Sequence, residues 1–80
     1  MTDALTWIHE FMVASGGTAL TDEERDSILA LAGVAAHSSE RIAAPLSCWV
    51  AAAAGLSPVA ALEIAQRVTE QLGNDQQEDQ

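Results

Sequence analysis

Apolar side chains recur along this chain at spacings of three and four, and no stretch shows the single alternation of a half-buried strand. Four helices follow from that pattern. The first runs from a cap at Asp3 to about Ser15, with Leu5, Ile8 and Met12 on one stripe. Trp7 and Phe11 widen that stripe at i, i+4, and Gly16-Gly17 ends the helix. The second begins at the clearest signal in the sequence. Thr21-Asp22-Glu23-Glu24 is a capping box, in which the Thr21 side chain accepts from the backbone and Glu24 reaches back. Leu20 is placed to pack on Ile28 or on the stem of Arg25, and the three acids suit the positive end of the helix dipole. This helix is expected to reach about His37, burying Ile28, Leu31 and Ala35 together with Leu29 and Ala32.

The connection Ser38-Ser39-Glu40-Arg41 leads into Ala43-Ala44-Pro45, where Pro45 suits the first turn of a third helix. That helix holds Leu46, Trp49, Val50 and Ala53 on one side and ends at Gly55. Ser57 then caps a fourth, with Pro58 at its first position and Leu62, Ala65, Val68 and Leu72 as its stripe, joined by Ala61 and Ile64. Gly73-Asn74 is expected to close it. Short connections favour antiparallel neighbours. The predicted architecture is all-α, a four-helix up-and-down antiparallel bundle over residues 1–73, followed by a disordered acidic and polar tail over residues 74–80.

Composition sharpens this picture. Sixteen of the 80 residues are alanine, which leaves only 22 large apolar side chains to build a core. A core of that size seldom contributes more than about 3–5 kcal/mol without a disulfide, a metal or a partner. The third helix is the barest, with Ala51 to Ala54 in a row. It is expected either at the centre of the bundle or against another copy. So short a chain also leaves little room for a substrate pocket, and no enzymatic activity is expected.

Charge excludes further classes. Twelve acidic residues against three arginines give a formal net charge of −9 and leave no basic face for a nucleic-acid backbone or an anionic membrane. The residues from Ile42 to Leu62 carry no formal charge and are numerous enough to span a bilayer on paper. Their two prolines, two serines and Gly55-Leu56-Ser57-Pro58 break argue instead for two helices in a bundle. A single cysteine, Cys48, and a start without a basic region before an apolar run point to a reducing, cytoplasmic setting.

Candidate chemistry is sparse. His9, His37 and Cys48 fall on three different helices without metal-ligand spacing, so no metal or other cofactor is expected. The serines and Cys48 have no evident base and orienting group beside them. The acids Asp22, Glu23, Glu24 and Asp26 lack the glycine and alternating ligands of a calcium loop, and capping accounts for them. Arg41 stands out as the one arginine between Arg25 and Arg67, just before a proline-started helix. With His37 it could hold an anionic, nucleotide-like group, since a guanidinium and a helix N-terminus both offer donors to one anion.

The run Leu31 to His37, then Arg41, Ala43 to Leu46 and Ala53 to Gly55, with Trp7 in the first helix, resembles a small helical domain of unknown function of actinobacterial type. Ile42 departs from that pattern, in which a proline is usual at this place. Members of that family stand alone or are joined to the guanylyltransferase that attaches a nucleotide to the molybdenum cofactor. The resemblance implies an accessory role near molybdoenzyme maturation, and carries over no catalytic residue. The function expected is therefore a non-catalytic interaction module, a homodimer or a docking subunit, whose contact face comprises Pro45, Leu46, Trp49 and Ala53.

Overall fold

Three of the four helices begin at a side-chain cap, and two end at a left-handed glycine. The computed structural model describes residues 2–78, with side chains through residue 73. Helix α1 spans Ala4–Ser15. Asp3 caps it: one carboxylate oxygen accepts from the Thr6 backbone N–H at 2.8 Å and the other from the Thr6 hydroxyl at 3.1 Å. Gly16 (φ 76°) ends it in a Schellman turn, where Gly17 N–H donates to the Met12 carbonyl at 3.0 Å and Gly16 N–H to that of Val13 at 3.3 Å.

Helix α2 spans Asp22–Ser38 and opens on the complete capping box. Glu24 N–H donates to Thr21 Oγ1 at 3.0 Å, and Thr21 N–H donates to Glu24 Oε1 at 2.9 Å. Arg25 lies against Asp22 at 3.6 Å and Asp26 at 3.2 Å, the ion pairs found among the described residues. Helix α3 spans Ala43–Ala53 without a side-chain cap. It begins in turns that carry Ala43 N–H to the Glu40 carbonyl and Ala44 N–H to that of Arg41, with Pro45 in the first turn. A second Schellman turn at Gly55 (φ 77°) ends it, Leu56 N–H donating to the Ala51 carbonyl at 3.1 Å.

Helix α4 spans Pro58–Glu78. Ser57 Oγ accepts from Ala60 N–H at 3.2 Å, so the expected cap and N1 proline are in place. Its far end differs from expectation. The helix does not stop at Gly73-Asn74 but continues to Glu78, because Gly73 keeps a helical backbone; among the described residues positive φ is confined to Gly16 and Gly55. A glycine inside a helix costs only about 1 kcal/mol relative to alanine, which is not a stop by itself. Asp79 and Gln80, the end of the expected tail, lie outside the described residues.

The chain is thus all-α, with four helices in a bundle as expected. Those helices are unequally held. Helix α2 is the axis, packed against both α3 and α4, whereas α1 touches the rest only sparsely. Among the described residues, Leu31 of α2 and Ala61 of α4, each 4% exposed, are the buried apolar residues, and α1 buries none. Leu29, expected inside, is exposed; Ile28, Ala32 and Ala35 are half-buried. The accessible surface is 6414 Å². A compact chain of this mass exposes roughly 4,600 Å². The radius of gyration, 14.7 Å, likewise exceeds the roughly 11.6 Å of a compact domain of this length.

Candidate functional site

Helix α3 packs on its small residues and turns its large ones outward. Ala43, Ala44, Ser47, Cys48 and Ala51 are half-buried, at the spacing of one helical face. Small side chains on this face let α3 settle on α2, whose own facing half is rich in Ala32, Ala35 and Ala36. The opposite face carries Ile42, Leu46, Trp49 and Ala53 at spacings of four, three and four, all exposed. Trp49 is the extreme, 77% exposed, and Leu46 is 60% exposed. Pro45 and Val50 flank this ridge and are exposed as well. The four residues singled out from the sequence, Pro45, Leu46, Trp49 and Ala53, therefore share one open, uncharged face.

Two clefts open along α2, and the first of them borders α3. The first, of about 310 Å³, lies among α2, α3 and α4, with Val34, Leu56, Ile64, Val68 and Leu72 along its walls. Two of its three serines are engaged within their own helices: Ser38 Oγ donates to the Val34 carbonyl at 2.7 Å and Ser47 Oγ to that of Ala44 at 3.0 Å. Among the described residues nothing charged lines it, and none of them offers an anchor to an ionic ligand there. The second, of about 490 Å³, opens between α1 and the N-terminal half of α2, where Leu5, Ile8 and Met12 face Leu20, Ile28 and Leu29. Asp22, Arg25 and His9 stand at it among these apolar residues. On α1, Trp7 and Phe11 stack at 5.4 Å between centroids, 10° from parallel, both exposed.

His37 sits in the last turn of α2 and Arg41 in the turn before α3, both exposed. Neither lines either cleft. Among the described residues, no group of three or more His, Cys, Asp or Glu side chains is placed to hold a metal ion. Among the described residues no helix is long and apolar enough to cross a membrane, the charge-free stretch being divided between α3 and the start of α4. The sequence reading missed the α1–α2 cleft. Its signal was the same stripe, Leu5, Ile8 and Met12, taken there as core.

A helical module with an outward apolar ridge is the class that this geometry defines. The chain belongs to the family described as domain of unknown function DUF6457, whose model matches residues 1–80. No curated protein and no solved structure matches it.

Proposed function

We propose that the chain is a non-catalytic interaction module whose working contact is the outer face of α3. One observation carries this reading: Trp49, the most exposed of the large apolar side chains, stands on a ridge with Ile42, Leu46 and Ala53 in a segment without formal charge. Exposed tryptophan with aliphatic neighbours is the composition of a binding hot spot, and burying it removes a large apolar area from water. The acidic remainder of the surface disfavours acidic partners and nucleic acid. The resemblance noted above gives the module its setting, an accessory or docking subunit in the cytoplasm for a molybdenum-cofactor enzyme or maturation factor.

The test is capture of tagged wild type and Trp49→Ala from gentle lysate of the host, read by native mass spectrometry. A stoichiometric enzyme or maturation factor on the wild type, lost from Trp49→Ala, is the expected result. An equal yield on both chains overturns the role of α3, and a partner outside molybdoenzyme maturation overturns the setting. The alternative, an anionic ligand held by His37 and Arg41, has only the exposure of both side chains in its favour. It requires that Arg41→Ala weaken binding of a nucleotide without changing helicity, and calorimetry with guanine nucleotides decides it.

A further inference from the structure

We infer that a second copy of this chain covers the α3 ridge by receiving it in the cleft between its own α1 and α2, and that the exchange is reciprocal about a two-fold axis. This rests on the proposed reading of α3 as the contact face, and makes a second copy, in place of an enzyme or maturation factor, its occupant. Area comes first. The chain exposes 6414 Å², roughly 1,800 Å² beyond a compact molecule of its mass, even though part of that excess is the long α4. A stable interface buries about 800 Å² on each partner, so the excess is large enough to supply one.

Shape is the second argument. Among the described residues, one chain holds an unfilled apolar ridge, on α3, and the roomier of its two clefts, about 490 Å³ against 310 Å³, lies between α1 and α2. The two match in length, since α3 has 11 residues and α1 has 12, each about 17 Å long. A foreign protein seated on the ridge would leave the cleft open. A second copy fills both at once, and two-fold closure stops the assembly at a dimer.

Charge selects the same arrangement. Two copies each carrying −9 repel, so their contact must fall where charge is absent. The ridge belongs to the longest uncharged segment, and at the cleft Arg25 offsets part of the charge of Asp22, at 3.6 Å, and Asp26, at 3.2 Å. The exchange also accounts for α1. An isolated helix of 12 residues is marginal in water, and α1 buries no residue against its own chain. The partner's α3 would lie along Leu5, Ile8 and Met12 and give that helix its missing neighbour.

Sedimentation equilibrium of the purified chain over a range of concentrations, with two variants, tests this. Trp49→Glu removes the ridge and Ile8→Glu blocks the cleft; both side chains are exposed, and unchanged helicity by circular dichroism certifies each fold. Leu29→Glu, also in the cleft and exposed, replaces Ile8→Glu if that variant loses α1. Wild type should dimerise, and each single variant, altered at both contacts of the two-fold dimer, should associate more weakly by well over the roughly 30-fold that one hot spot is worth. An equimolar mixture of the ridge and cleft variants should regain part of the association, because one intact ridge still meets one intact cleft. A cleft variant that dimerises like wild type overturns the inference in favour of α3 packing on α3, and leaves the contact face standing. A wild type that stays monomeric overturns the inference alone; loss of the lysate partner from Trp49→Ala would then still uphold the proposed function.

Discussion

Gly33 and Gly55 show how one residue type serves opposite ends at the residue scale. Gly55 ends α3 at φ 77°, and an added Cβ there would meet nothing within 4 Å. The cost of Gly55→Ala is therefore backbone strain alone, about 1–2 kcal/mol of destabilisation. Gly33 lies inside α2 with the same open space but an ordinary helical backbone. Gly33→Ala should stabilise by about 1 kcal/mol, and urea melts of the two variants should move in opposite directions. Asp3 carries a pH signature. The Thr6 backbone N–H, and then the Thr6 hydroxyl, favour its carboxylate and hold its pKa below the ordinary 3.8. A carboxyl depressed on folding contributes stability that is present above 3.8 and lost as pH falls through its lower folded value. Helicity of α1 should decline in that acid range, and Asp3→Asn should abolish this part of the titration. A titration unchanged by Asp3→Asn would remove the cap from the account.

At the scale of elements, local chemistry was legible and facing was not. The caps at Asp3, Thr21 and Ser57 and the two Schellman glycines depend on residues within a few positions of each other, so the sequence displays them in full. Thr21→Ala should cost about 1 kcal/mol, whereas Glu24→Gln, which keeps an acceptor for the Thr21 N–H, should cost clearly less. Thermal melts of both, with the double variant to expose their coupling, check the box as a unit. Helix α3 is the opposite case. The stripe of Leu46, Trp49 and Ala53 was visible as periodicity, and so was its companion of Ala44, Ser47, Cys48 and Ala51. Periodicity tells which residues share a face, but not whether that face meets its own chain or another. The sequence assigns Trp49 and Leu46 to a contact face and leaves α3 itself either central or against another copy; the close approach of α3 to α2 puts its small residues inside. The candidate face was therefore legible as a set of residues, and its exposure only from the fold. For α4 the error was of another kind, since Gly73-Asn74 has the composition of a stop without the left-handed backbone that makes one.

Stability at the scale of the whole molecule depends on whether 22 large apolar residues can find cover, and in one copy few of them do. Among the described residues, Leu31 on α2 and Ala61 on α4 are the buried pair. Leu31→Ala should cost about 2–5 kcal/mol, a large part of what so small a core can supply, and should be read by urea unfolding at fixed protein concentration. Concentration matters because a dimer that shares its core across the interface gains stability by mass action. Raising the concentration tenfold adds about 1.4 kcal/mol per dimer, or about 0.7 kcal/mol per protomer. For a domain of this size that should raise Tm by about 3–6 °C. Trp49→Glu, having lost the ridge, should melt at a temperature independent of concentration while keeping its caps and its α2–α4 contact. Differential scanning calorimetry over two decades of concentration separates these behaviours. A wild-type Tm that does not move would mean that α2, α3 and α4 suffice for folding, and that the exposed ridge serves only partners other than this chain.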